Sequence, residues 1–318
     1  MRYSNRMIKN FIGVICIVVV ATVTLPSSAV CQSKTKAKNA ANTPKGKEVI
    51  EKTLTGPTGW PISIKYFNST AKDAPPAIIL LHDKAGNQLI WEKTAETLRG
   101  KGFAVVTVDL RKHGKSIPEG AEAMKKLNKR DYALMVAEDL ELVKQFLMNE
   151  HHAKKLNIRK LGIAAMGMSA PVALTFAGND WLKKPYPDGP TLASRTPKGQ
   201  DVHAIAMISP VSSVTGLTTN VPLRLLQNPE RNVAMLFIAG TADKRIKRDV
   251  EKMYKQVSTN KDNKKRMHLV ARPDKANGAI LLSDRFRKQT TDLLAKFFDE
   301  NLTSLDAPWR SRKSKLTN

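Results

Sequence analysis

Residues 161–174 read LGIAAMGMSAPVAL. The opening run, Leu161–Ala165, is apolar without alternation, as in a strand covered on both faces. The turn after it, Met166–Pro171, carries the small residues Gly167, Ser169 and Ala170. Buried-strand runs recur on either side: Ala77–Leu81 (AIILL), Phe103–Leu110 (FAVVTVDL), Val202–Ile208, Val233–Ala239 (VAMLFIA) and Met267–Val270. Ile62, Ile64 and Tyr66 alternate as in a half-buried strand. Helical stretches separate the runs at Trp91–Lys101, Asp131–Asn149 and Val250–Val257, and a closing helix carries Phe286, Leu293, Leu294, Phe297 and Phe298. In Asp131–Asn149 the periodicity puts Tyr132, Val136, Leu140, Val143 and Leu147 on one face, with Glu138, Glu141, Lys144 and Gln145 opposite. Alternating strands and helices predict an α/β domain over 49–302, with a mostly parallel sheet and helices on both faces. Ligands of such sheets lie beyond the carboxyl ends of the strands.

Four strand ends carry the distinctive residues: Leu81-His82-Asp83-Lys84-Ala85-Gly86, Asp109-Leu110-Arg111-Lys112-His113-Gly114-Lys115-Ser116, Ala165–Pro171 and Gly240-Thr241-Ala242-Asp243. Together they resemble the oxyanion turn, the DLRGHGxS loop, the G-x-S-x-G nucleophile elbow and the acid loop of the α/β-hydrolase fold. RDYALMVAEDLELVKQFL, LNIRKLGIAAMGMSAPVAL and GQDVHAIAMISP further resemble secreted planctomycete-type α/β-hydrolase-like proteins, related to dienelactone hydrolases and serine aminopeptidases. In such relatives the elbow position is often not serine, so the resemblance implies a degenerate triad.

Two registers fit the elbow, whose flanking residues must be small. In the preferred one, Ala165 and Ser169 flank Gly167, which accepts a positive φ but brings no nucleophile. In the other, Gly167 and Pro171 flank Ser169, with Pro171 in the first helical turn. Asp243 stands at the triad-acid position, or equally serves as a turn carboxylate capping the next helix. A triad also needs an imidazole after the last strand. That loop, Arg272–Gly278, has none, and His268 lies near the start of the strand itself. His82, Asp83 and Met168 form the oxyanion region, where Asp83 replaces the usual glycine and puts a carboxylate where negative charge would develop. A weak esterase built on Ser169, Asp243 and a displaced His268 is the competing expectation. The segment 179–200, rich in Pro, Gly and Lys, is the expected lid-like insertion. The sequence calls for no cofactor, and no His/Cys/Asp/Glu cluster has metal-ligand spacing.

The termini bear on location and partners. Arg2, Arg6 and Lys9 precede an apolar run from Phe11 to Leu25, then Ser27, Ser28 and Ala29. This order is a secretory signal peptide over 1–29; the run is shorter than the ~20 residues of a membrane-spanning helix. Cleavage would leave Cys31 as the only thiol, open to lipidation, and a secreted, periplasmic or envelope protein. Residues 30–48 read as a basic disordered linker and 303–318 as a basic tail. The 318 residues hold 53 Lys plus Arg against 28 Asp plus Glu, a net charge of +25 that becomes +22 when three cations leave with the signal (25 − 3). Such a charge favours an anionic polymer or membrane surface. Nucleic acid is disfavoured, since aromatics make up only 6% of the chain and stacking needs them. A small ester or other small molecule remains the ligand expected at the strand ends.

Overall fold

The computed structural model describes residues 49–71, 73–120, 126–272 and 274–316. The signal, the linker and Cys31 lie outside them. Eight strands form the central sheet: β1 (Val49–Thr55), β2 (Pro61–Phe67), β3 (Pro76–Leu81), β4 (Ala104–Val108), β5 (Asn157–Met166), β6 (Val202–Ile208), β9 (Ala234–Gly240) and β10 (Met267–Arg272). A two-stranded hairpin, β7 (Ser213–Val214) and β8 (Leu217–Thr218), stands apart from it. The sheet order is β1-β2-β4-β3-β5-β6-β9-β10. β1 pairs antiparallel with β2, and β2 with β4; every later pairing is parallel.

The unbroken apolar runs have a direct cause. Along β3, Ala77, Ile79 and Leu81 enter one core, and Ile78 and Leu80 enter the other. Helices α1 (Glu92–Gly100) and α7 (Arg287–Phe298) cover the second core with Trp91, Leu98, Phe297 and Phe298. The first core lies under α2 (Lys129–Leu134), α3 (Leu140–His152), α4 (Ser169–Leu182), α5 (Asn220–Leu226) and α6 (Lys244–Ser258). With both faces covered, a central strand is apolar almost throughout; one exception, Thr107 in β4, donates to Gln88 Oε1 (3.1 Å).

Three expectations need correction. A π-helical turn, Met135–Asp139, interrupts the helix expected at 131–149. It turns Glu138 and Asp139 together toward the buried guanidinium of Arg111, so Glu138 is buried rather than solvated. Lys144, also expected outside, is buried against Asp180 and Asp201. Second, segment 179–200 includes the end of α4 and leads to the amino-terminal start of β6. That is the end of the sheet opposite the strand carboxyl termini, so the segment cannot overhang the elbow as a lid. Third, residues after Leu302 do not hang free. Asn157 Nδ2 donates to Ala307 O (2.7 Å), Trp309 Nε1 to His151 O (3.1 Å), and Arg312 reaches the buried Asp201. The strap gives Asp201 a cation of its own, where an unattached tail would leave it only the Lys144 ammonium it shares with Asp180.

Candidate functional site

The elbow sits at the carboxyl end of β5, where the chain reverses into α4. Gly167 has φ +52°, a left-handed conformation that glycine adopts without steric cost. Its N–H donates to Ile208 O (3.0 Å) and its carbonyl accepts from Ala170 N (3.2 Å) and Val211 N (3.3 Å). The turn is thereby tied to the end of β6. The strained position of the turn is at Gly167; Ser169 already belongs to the helix.

Ser169 is fully buried. Its Oγ accepts from Met166 N (2.9 Å) and lies within donating distance of Met166 O (2.9 Å) and Leu81 O (3.2 Å). The hydroxyl fastens the turn to itself and to β3.

Asp83, on the loop after β3, leans over Gly167. A methyl group placed on Gly167 would overlap its carboxylate. Asp83 Oδ1 accepts two backbone N–H groups, from Met168 (2.8 Å) and from Lys84 (2.7 Å). These come from the residue after the elbow position and from the first strand's loop, the two sources of an oxyanion hole in this architecture. The carboxylate also faces the N-terminus of α4, where the helix dipole favours a negative charge. Two backbone N–H groups at the turn thus converge on one carboxylate oxygen of the chain itself.

Beneath this loop, His82 Nε2 accepts from Leu110 N (3.1 Å), which leaves Nδ1–H to donate to Asp83 O (2.7 Å). Burial pushes its imidazole down to about 4, and the adjacent His113 adds to this. The neutral tautomer holds the Asp83 loop against β4. Close by, the DLRKHGKS segment is bound internally: Asp109 accepts from Gln88 N (2.7 Å) and Lys115 N (2.8 Å), and Ser116 Oγ donates to Asp109 O (2.6 Å). Tyr132 Oη reaches Met168 Sδ (3.7 Å).

The remaining site candidates lie apart. Asp243 is exposed and caps α6, accepting from Arg245 N (2.9 Å) and Ile246 N (3.1 Å). His268 pairs in register with Leu236 near the start of β10 and packs its ring on Phe297 at 6.1 Å. Four residues separate it from Arg272 at the strand's carboxyl end, roughly 13 Å. The structure thus does not gather Ser169, Asp243 and His268. Wherever a histidine nitrogen is hydrogen-bonded among the described residues, its partner is a backbone group.

The loop after β10 holds a residue that sequence reasoning passed over. Asn277 Oδ1 accepts from Ser209 Oγ (2.9 Å) and Gly240 N (2.8 Å), and its Nδ2 donates to Gly240 O (3.1 Å). It joins the ends of β6 and β9. Its one sequence signal is the Asn-Gly pair, a turn mark.

Neither a family model nor a curated protein matches the sequence. Solved structures do resemble it. A dienelactone hydrolase from Anabaena variabilis aligns with TM-score 0.56 at 14% identity, over 80% of this chain and 99% of that one. An esterase from Pyrococcus furiosus aligns at 0.57 and 12% identity, over 80% and 92%. An esterase from Exiguobacterium antarcticum gives 0.51 and 14%, over 79% and 100%. At such identities the likeness speaks of architecture alone, and it agrees with the strand order and with the strand–turn–helix at Gly167: the chain has the α/β-hydrolase fold.

Proposed function

We propose that this protein is an exported α/β-hydrolase-fold protein that has given up acyl-transfer chemistry at its elbow and serves a binding role in the cell envelope. One observation carries the reading: Asp83 Oδ1 occupies both oxyanion donors, Met168 N–H and Lys84 N–H, above a glycine. Acyl transfer needs those donors vacant for the charge that forms in the transition state. A fixed carboxylate repels that charge, and Gly167 offers nothing to attack with. The neighbouring histidines, spent on backbone groups, support the same reading. The basic, apolar, small-residue order of residues 2–29 supports export. Nothing in the surroundings of Ser169 favours a weak esterase, since its hydroxyl has no solvent exposure.

The test is a serine-reactive fluorophosphonate applied to the purified protein beside an active esterase. The expected result is no label, and only trace ester hydrolysis that Ser169→Ala leaves unchanged. Stoichiometric labelling at Ser169 would overturn the reading.

A further inference from the structure

Helix α6 carries a row of cations that its own electrostatics oppose. Cations near a helix N-terminus oppose its dipole, and like charges at i, i+4 repel. The amino-terminal half of α6 carries Lys244, Arg245, Lys247 and Arg248, with no acidic residue in its first turn, which the Asp243 side chain caps. Lys244, Arg248 and Lys252 follow at four-residue spacing, with Lys255 three further on, all exposed. On α7, Lys288 and Lys296 meet acidic partners at that spacing, Asp292 and Glu300. On α6 only Lys247 and Arg248 have such partners among the described residues, Glu251 and Asp249. Lys244, Arg245, Lys252 and Lys255 are left unpaired. The row from Lys244 to Lys255 is about 17 Å long at 1.5 Å per residue. A helix that keeps such a row against its own stability has a use for it.

The chemistry beside the row narrows the partner. Between α5 and α6 runs an open groove of about 530 Å³ lined by Arg224, Gln227, Asn228, Gln256, Thr259 and Asn260. Gln256 Nε2 donates to Asn220 O, and the Asn228 and Asn260 side-chain carbonyls accept from Glu230 N and Asp262 N. The remaining amide capacity, in the Asn228 and Asn260 NH2 groups, the Gln256 carbonyl and Gln227, suits the hydroxyls of a polyol, and Arg224 is an exposed cation. No aromatic side chain lines the groove, so nucleic-acid bases have nothing to stack on. The apolar side of α6, Val250, Met253 and Val257, is buried in the body. It cannot enter a bilayer as an interfacial helix does.

We propose that the exposed face of α6 and the α5–α6 groove form a docking surface for a linear anionic polysaccharide. The cation row takes its carboxylate or sulfate groups, and the amide-lined groove takes its hydroxyls. None of these residues belongs to the turn at Gly167 or contacts Ser169, so the phosphonate experiment leaves the inference untouched.

The test measures binding of the full chain to immobilised polygalacturonate across a salt series. One variant replaces Lys244, Arg248, Lys252 and Lys255 by glutamine, a residue of similar helix propensity. A control removes equal charge elsewhere, by Lys93→Gln, Lys101→Gln, Lys288→Gln and Lys296→Gln. The α6 variant should bind at least tenfold more weakly and lose about three units of log–log salt slope, while the control stays within threefold. Gln227→Ala with Gln256→Ala should weaken binding to polygalacturonate several-fold but not to polyacrylate, which has no hydroxyls. Equal losses in the two quadruple variants would reduce the effect to net charge and overturn the inference. Tighter, α6-dependent binding to phosphatidylserine vesicles or single-stranded DNA would overturn the choice of partner.

Discussion

Gly167 and Asp83 form a coupled pair, and their coupling can be measured. Gly167→Ala forces a side chain into a left-handed φ, at roughly 1–2 kcal/mol, and drives Asp83 from its two N–H donors. Charged hydrogen bonds are each worth about 1.5–3 kcal/mol, so with both lost a total of at least about 4 kcal/mol is expected in urea denaturation. With Asp83→Ala already in place, the same change should cost at least about 1 kcal/mol less. Additive effects would mean that the carboxylate does not lean on the elbow. His82 adds a pH dependence. Its folded value of about 4 lies below the ordinary 6.5, so the unfolded chain takes up its proton first as pH falls. Its contribution is complete above pH 6.5 and declines from there toward pH 4. Between pH 7 and pH 5 the loss comes to about 2 kcal/mol by linkage. Burial of His151 and His203 lowers their values too and adds in the same direction. His82→Asn, which keeps a donor for Asp83 O, should shrink the pH 7 to pH 5 difference by about 2 kcal/mol. An unchanged difference would mean that His82 is not held neutral.

At the scale of elements, the strands near the site are joined at their ends by side-chain hydrogen bonds. Asn277 is the clearest case. Asn277→Ala would leave Ser209 Oγ and both backbone groups of Gly240 without it, and buried polar groups left unpaired cost about 1–3 kcal/mol. A loss of about 2 kcal/mol in urea denaturation is expected, with the fold retained by circular dichroism; a loss below about 0.5 kcal/mol would mean that water replaces the amide without penalty. Most elements here were legible in the sequence, because a strand covered on both faces must be apolar almost throughout. β3, β6 and β9 fall within a residue of their apolar runs. The π turn at Met135–Asp139 was not legible. Its cause is Arg111, 24 or more residues away in the chain, and helical periodicity registers only neighbours three and four apart.

For the whole molecule, the C-terminal strap closes a buried network of Lys144, Asp180, Asp201 and Arg312. With Arg312 present, Asp201 meets Arg312 and Lys144, while Asp180 meets Lys144 and Lys183. Arg312→Met leaves Asp201 only the ammonium it shares with Asp180, and breaking a buried pair in this way costs about 3–5 kcal/mol. Arg310→Met, at an exposed neighbour in the same strap, should stay within about 0.5 kcal/mol. Thermal or urea unfolding of the two variants decides it, and equal stabilities would mean that the strap lies on the surface without closing the network.

The sequence by itself determined the layered α/β architecture, the glycine at the turn after LGIAA and the large positive charge, because each is written in local pattern or composition. It also exposed the missing imidazole, since a loop without histidine is legible as such. Only the tertiary structure decided what Asp83, Asn277 and Arg312 do. Their partners lie 85, 37 and 111 residues away, and a carboxylate, an amide or a guanidinium carries no mark of which distant backbone group or charge it will meet. The same holds for segment 179–200. Its composition suits a loop at either end of the sheet, and the direction of α4 and β6 sets which end it occupies.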